Sequence, residues 1–235
     1  MWAVVPLKSP AHAKTRLAAV LTPLQRRQLL FELGERVIAA ARRTAGIDAV
    51  AVVTADAEVA AFADRLGAVP LMQSREDGCT AAFVAALPKL QRLRPRGLLM
   101  LAGDLPLVSP AALQRLLQAG ASGATVVIAP DRRRRCINAL LCEPADAIAP
   151  CFGSDSLRRS IAAAAAAGVR STVVDDEALA LDLDIPDDLD CLHRHPDAGL
   201  HTLPDRGRLA GHGADHGAGH NGGRDAAIAE PLRSA

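Results

Sequence analysis

A chain of 235 residues, half of them apolar, has hydrophobic material for one generous domain or two small ones. With 27 Lys and Arg against 26 Asp and Glu the formal charge is +1, so no global field draws the chain to nucleic acid or to an anionic membrane, and any anion site must be local. Only 2% of the residues are aromatic, while Ala, Val and Leu dominate, which excludes an all-β sandwich in favour of Ala-rich helices alternating with short aliphatic strands.

The opening MWAVVPLKSP has no basic region ahead of its short apolar run and does not read as a signal peptide. No apolar run approaches the roughly 18 residues of a membrane span, and the cytoplasm is the expected address. The first strand is predicted over Trp2 to Val5, stopped by Pro6, and it feeds a cationic loop carrying Lys8, Lys14 and Arg16. Thr22-Pro23-Leu24-Gln25 then supplies an N-cap, a proline at the first helical position and the Gln of a capping box. Leu29, Leu30, Leu33, Val37 and Ala41 recur at helical spacing and carry that helix to about Arg43.

After Gly46, Ala49 to Val53 is a continuous apolar strand of the kind covered on both faces in a parallel sheet. Ala57 to Leu66 reads as helix, Val69 to Leu71 as strand and Ala81 to Leu90 as helix. Gly97 to Leu101 is the most apolar strand, expected at the centre of the sheet, and it runs into Gly103-Asp104-Leu105-Pro106. Ser109-Pro110 caps the next helix as Thr22-Pro23 does, and Thr125 to Ala129 is a further strand. A basic run, Asp131 to Arg135, leads to Ala139 to Cys142. Gly153 to Ala167 turns into a helix, Arg170 to Val174 is a strand, and Leu181 to Leu183 precedes Pro186 and a last short helix.

The ordered domain is expected over residues 1–192. From His193 onward Gly, His, Asp and Pro replace the apolar periodicity, and residues 193–235 read as a flexible Gly/His-rich tail. His212, His216 and His220 are spaced by four, but Gly213, Gly217 and Gly219 argue against the helix that would align them as metal ligands. The five cysteines, an odd number with no CxxC pair, suggest neither a disulfide framework nor a thiolate zinc site and read as small apolar core residues.

In an open parallel sheet ligands bind beyond the carboxyl ends of the strands, so the polar residues after each apolar run are the candidates for chemistry. Lys8, Lys14 and Arg16 follow the first strand and could embrace a polyphosphate, the alternative being a solvated basic loop. Asp104 follows the central strand, where a carboxylate is costly to desolvate without a partner such as a divalent cation, unless it only caps a turn. In Leu181-Asp182-Leu183-Asp184-Ile185, strand alternation puts the two aspartates on one side and the apolar residues on the other. With Asp104 they would supply oxygen ligands for magnesium, unless Asp187 and Asp188 merely start a helix and Asp182 is surface. The turn Phe152-Gly153-Ser154-Asp155-Ser156 offers backbone amides at a helix start as an anion seat, with Ser154 or Ser156 available as the N-cap.

Taken together, VPLKSPAHAKTRL, VVTAD, EDGCTAAF, LAGDLPLVSP, IAPDRRRRCINALL, FGSDSLRRSI and ALDLDIPDDL resemble, in order, the guanylyltransferases of coenzyme F-420 biosynthesis, over about residues 1–192. The resemblance implies an α/β fold of the nucleotide-diphospho-sugar transferase type, a three-layer α/β/α sandwich with a mixed, mostly parallel sheet. It implies a magnesium-dependent enzyme that joins the GMP of GTP to a three-carbon phosphorylated acid and releases pyrophosphate. Carried over, Lys14 and Arg16 would hold the GTP phosphates and Asp104, Asp182 and Asp184 the magnesium. Asn138, Gly153 and Ser156 would hold the acid, and backbone groups around Lys8, Thr54 and Gly78 would read the base.

The chain departs from the family's Gly-Thr-Asn-Ala-Leu pattern, reading Cys136-Ile137-Asn138-Ala139-Leu140. Ile137 removes a hydroxyl donor and adds an apolar wall, which reshapes the acid pocket and tilts the expectation from phosphoenolpyruvate or 2-phospho-L-lactate toward 3-phospho-D-glycerate. Catalysis would be positioning plus electrostatics with no general base, because a substrate phosphate is already ionised near neutral pH. The rival readings are a sugar-phosphate nucleotidyltransferase or glycosyltransferase of the same fold, and a non-catalytic nucleotide-binding module. The oligomeric state is left open, a homodimer being one option.

Overall fold

A computed structural model describes residues 1–93, 95–195 and 199–200, all within one unit, Met1–Leu203. Residues 201–235 of the expected tail, with His212, His216 and His220, lie outside the described residues. Seven strands form one sheet: β1 (Trp2–Pro6), β2 (Ala49–Thr54), β3 (Val69–Met72), β4 (Leu98–Leu101), β5 (Val126–Pro130), β6 (Ile137–Cys142) and β7 (Ser171–Val173). Their order is β3-β2-β1-β4-β6-β5-β7, which puts β4 at the centre, as its apolar sequence predicts.

β1, β2, β3 and β4 run parallel to one another, and β7 runs parallel to β5. Only β6 is reversed, antiparallel to both β4 and β5. The reversal follows from chain length, because the segment joining β5 to β6 is far shorter than the dozen or so residues a parallel crossover needs. Its consequence is positional. The start of β6, Ile137–Asn138, comes to the same edge as the carboxyl ends of β1 and β4.

Among the described residues seven helices accompany the sheet: α1 (Pro23–Arg43), α2 (Ala57–Arg65), α3 (Cys79–Gln91), α4 (Pro110–Ala121), α5 (Ser156–Ala166), α6 (Glu177–Ala180) and α7 (Pro186–His193). Strand alternation sorts the core into layers. Ala3, Val5, Val52, Leu99 and Leu101 pack with α1, α2 and α4, whereas Val4, Val53, Leu98 and Met100 pack with α3 and α5. The result is the mixed three-layer α/β/α architecture expected from the sequence. Among the described residues no helix is long and apolar enough to cross a membrane.

A third apolar cluster lies outside these layers. Leu17 and Leu21 of the opening loop, Leu29 and Leu33 of α1, and Leu181, Leu183, Leu189 and Leu192 near the end of the domain pack together. This packing brings the basic loop and the late acidic segment, far apart in sequence, to the same end of the sheet.

Several local expectations are corrected. Residues 181–184 do not pair as a strand. They form an extended connection in which Leu181 and Leu183 are buried and Asp182 and Asp184 are half-buried, so the alternation holds without a ladder. α5 begins at Ser156 rather than Gly153, and its N-cap is Asp155 in a left-handed conformation (φ 55°) without a side-chain cap, not Ser154 or Ser156. α3 begins at Cys79, and β6 begins at Ile137 rather than Ala139. α6 and the 3-10 turn Thr15–Leu17 carry no periodic signal long enough to read. Of the cysteines, Cys142 and Cys151 are core residues as expected, while Cys79, Cys136 and Cys191 are only half-buried.

Candidate active site

A cleft of about 390 Å³ opens at the carboxyl ends of β1, β2 and β4. Its walls include Lys8, Lys14 and Arg16, Gly78, Asp104, Ile137 and Asn138, Gly153, Asp182 and Asp184. Ten of the sequence-designated residues thus share one cavity. Thr54 and Ser156 do not line it: both are fully buried.

Each wall has a local cause. Gly103 lets the loop after β4 lie across the end of β1, since a Cβ there would stand 2.5 Å from Leu7 Cδ2 and 2.8 Å from the Pro6 carbonyl. Gly78 caps α3 with φ 90°, a backbone only glycine adopts freely, and so turns the helix start toward the cleft. Lys14 holds a left-handed backbone (φ 53°) unusual for a side-chain-bearing residue, and this turns its stem inward just before Leu17 enters the apolar cluster.

The Lys14 side chain is 6% exposed, and its ammonium stands 2.6 Å from Asp104 Oδ2 and 3.4 Å from Asp184 Oδ1. Burial alone would lower its pKa, but Asp104 and Asp184 outweigh that and hold it above the ordinary lysine value. Arg16, largely exposed, places Nη1 3.6 Å from Asp184 Oδ2. Asp182 is pushed up to about 7, first by burial and then by Asp104 and Asp184, against a weaker opposing hydrogen bond from Asn138. Three carboxylates and one buried ammonium therefore make a cluster with uncompensated negative charge.

Among the described residues no group of His, Cys, Asp or Glu stands arranged to hold a metal ion. The three aspartates gather around Lys14 instead. Their oxygens are nevertheless the donors that a hard divalent cation takes, and Asp182, raised first by burial, is raised further by the two carboxylates crowded beside it.

The backbone that carries the aspartates is cross-linked to the sheet. Leu183 N–H donates to the Asp104 carbonyl (3.2 Å), and Ala102 N–H donates to the Asn138 carbonyl (2.8 Å). Asn138 Nδ2 donates to the carbonyls of Leu179 (3.0 Å) and Ala180 (3.2 Å), with Asp182 Oδ1 at 3.4 Å. Its amide nitrogen is thus spent on holding the acidic segment. Ser156 Oγ accepts from Ile137 N–H at 2.9 Å, so this serine shapes the wall from behind. Thr54 Oγ1 accepts from Asp56 N–H at 3.1 Å, and its carbonyl accepts from Gln73 N–H at 2.9 Å.

Other residues of the site escaped sequence reasoning. Glu76 lines the cleft and accepts from Ser9 N–H, with His12 Nδ1 at 3.2 Å, tying the opening loop to the loop before α3. Thr80 Oγ1 donates to the Phe152 carbonyl (3.1 Å) and accepts from its N–H (2.9 Å). Asp131 Oδ1 accepts from the N–H groups of Arg135 (2.7 Å) and Cys136 (2.8 Å), shaping the turn into β6. Glu76 and Thr80 fall inside EDGCTAAF and Asp131 inside IAPDRRRRCINALL, but nothing in the spacing marks them apart from their neighbours. Cys79 and Cys136 also line the cleft, and burial raises both thiols, Cys79 to about 12, so neither is a ready nucleophile.

Residues 1–202 match the family model described as guanylyl transferase CofC like. A protein of Conexibacter woesei named phosphoenolpyruvate guanylyltransferase is 38% identical over 192 residues, covering 81% of this chain and 86% of its own. One of the same name from Rubrobacter xylanophilus is 39% identical, covering 80% and 91%. Among solved structures, a nucleotidyl transferase from Methanothermobacter aligns with TM-score 0.58 at 21% identity, covering 81% of this chain and 94% of its own, a likeness of fold. The family match spans every element of the cleft, from the basic loop through the central aspartate to the late acidic pair, and the chain belongs to the CofC-like guanylyl transferases.

Proposed function

We propose that this protein transfers the guanylyl group of GTP to phosphoenolpyruvate, releasing pyrophosphate, in a route to coenzyme F-420. The observation that carries the reading is the cleft in which a basic loop, Lys8 to Arg16, meets Asp104, Asp182 and Asp184. Two polyanions must be brought together there, and the exposed cations Arg16 and Lys8 can meet phosphates without losing a buried partner. Lys14 reaches them only by loosening its pairs with Asp104 and Asp184.

In the reaction a phosphate oxygen of the acid attacks the α-phosphorus of GTP as the bond to the β-phosphate oxygen breaks. The attacking phosphate is ionised near neutral pH, with its second pKa at about 6, so no residue need act as base. Arg16 and Lys8 stabilise the departing pyrophosphate, and backbone groups near Lys8 and Gly78 face the base. A divalent cation, magnesium in our reading, would be held by Asp104, Asp182 and Asp184 and would neutralise charge on the transferring phosphate.

The wall at Ile137 favours phosphoenolpyruvate over 3-phospho-D-glycerate. The residue lines the cleft, is 3% exposed and gives its N–H to Ser156, so this position offers the acid an apolar surface. An enol methylene suits such a surface, whereas the free hydroxyl of 3-phospho-D-glycerate would be desolvated without a partner. The sequence-based tilt toward 3-phospho-D-glycerate therefore gives way, and it has no support from the relatives, which are named for phosphoenolpyruvate.

Mass spectrometry of the products from GTP and each acid, with pyrophosphate detection, tests base, acceptor and chemistry together. A guanylylated enolpyruvate with stoichiometric pyrophosphate is expected. Transfer to sugar phosphates, or GTP binding without pyrophosphate release, would overturn the reading in favour of a sugar-directed enzyme or a binding module.

A further inference from the structure

The carboxylate of Asp188 is 2% exposed, yet it lies on the first turn of α7 and outside the cleft. Its Oδ2 accepts from Ile185 N–H (2.9 Å), an ordinary capping bond, but also from Asp184 N–H (3.0 Å). A helix cap alone requires only the first. Oδ1 takes Arg132 Nη2 at 2.9 Å and Nε at 3.3 Å, with Arg133 Nη2 at 3.3 Å. Arg132 also donates its backbone N–H to the Ala180 carbonyl at 2.8 Å. One residue of the turn between β5 and β6 thus pins both ends of the segment that bears Asp182 and Asp184.

We propose that Asp188 and Arg132 are positioning residues for the acidic cluster, fixing the Asp184 backbone so that its carboxylate meets Lys14 and Arg16. The proposal rests on the transfer reaction assigned above to this cleft. Asp188 touches none of the reacting groups. It acts through Asp184, whose backbone is held by Asp188 on one side and, through Leu183, by the Asp104 carbonyl on the other. A buried carboxylate with one oxygen held by two arginine nitrogens is a costly way to start an eight-residue helix, and the extra bond to Asp184 is what it adds.

A double-mutant cycle reads the coupling. Arg132→Gln and Asp188→Asn are each measured alone and combined with Asp184→Asn, following pyrophosphate release and correcting for folded fraction by circular dichroism. Each is expected to lower kcat about tenfold with Asp184 present and less than twofold in the Asp184→Asn background. A merely structural role would lower kcat by the same factor in both backgrounds, and that result overturns the proposal. Arg132 lies on a partly exposed turn, so Arg132→Gln carries the cycle even if Asp188→Asn fails to fold. Amide hydrogen exchange keeps the test independent of the reaction. Exchange at Asp184 and Ile185 should quicken at least tenfold in Arg132→Gln while β4 keeps wild-type protection, and unchanged exchange at Asp184 overturns the proposal whatever the enzyme's substrate. Absence of pyrophosphate release by the wild type, with exchange still quickened, would instead refute the transfer reading alone.

Discussion

Asp182 titrates in the opposite sense to most aspartates. Burial and the neighbouring Asp104 and Asp184 raise it to about 7, whereas in the unfolded chain it would release its proton near pH 4, about 3.9. Between those values the native state binds more protons than the unfolded state. The stability it contributes is therefore present below about pH 4 and is lost as pH rises through about 7. Asp182→Asn, neutral at every pH, should melt above the wild type at pH 8 and close to it at pH 4. A melting temperature at or below wild type at pH 8 would show that the charge is already compensated. Asp104 makes the shortest contact to Lys14, at 2.6 Å, and Asp104→Asn should keep the fold while lowering turnover about a hundredfold, checked by steady-state pyrophosphate release. The polarity of these residues and their convergence were legible in the sequence, because each follows an apolar run at the carboxyl edge of the sheet. That Lys14 stands buried among them was not, since no local rule aims a loop lysine inward.

At the scale of elements, two helices with local caps, α1 and α4, were read correctly. Thr22 and Gln25 form the predicted capping box, with Gln25 N–H donating to Thr22 Oγ1 at 3.3 Å and Thr22 N–H to Gln25 Oε1 at 2.9 Å. Ser109 likewise caps α4. α5 failed that reading because Ser156, the local candidate, accepts from Ile137 N–H across the fold, and a tertiary bond displaced a local one. The turn before α5 is held instead by α3, through the paired hydrogen bonds of Thr80 with Phe152 and the contact of Phe83 with Phe152, ring centroids 4.5 Å apart. Thr80→Val keeps the shape and deletes both bonds, leaving the buried amide of Phe152 without its acceptor. It should cost about 1–2 kcal/mol in urea unfolding. It should also raise KM for the acid several-fold with kcat nearly unchanged, because Gly153 and Ser154 lose their anchor rather than their chemistry. A KM equal to wild type would show that the turn is held by apolar packing alone.

Over the whole molecule, the alternating strands and amphipathic helices specify two of the three apolar clusters, which is why the layered fold is readable from patterning alone. The third cluster was not readable, because it joins Leu17 and Leu21 to Leu181, Leu183, Leu189 and Leu192 with no periodicity linking them. Yet this cluster assembles the site. It docks the basic loop and the acidic segment on α1, and the charges converge because their apolar neighbours do. Leu183 and Leu116 are both fully buried leucines, the first in this cluster and the second between α4 and the sheet. Leu183→Ala and Leu116→Ala should each cost about 2–5 kcal/mol by the same loss of buried methyls. Only the first frees the residue between Asp182 and Asp184, whose N–H donates to the Asp104 carbonyl. At a temperature where both variants remain folded by circular dichroism, Leu183→Ala should lose at least tenfold in kcat, while Leu116→Ala stays within about twofold of wild type. Equal kcat values would mean that the hydrogen bonds from Asn138 and Asp188 hold the acidic segment without help from the apolar cluster.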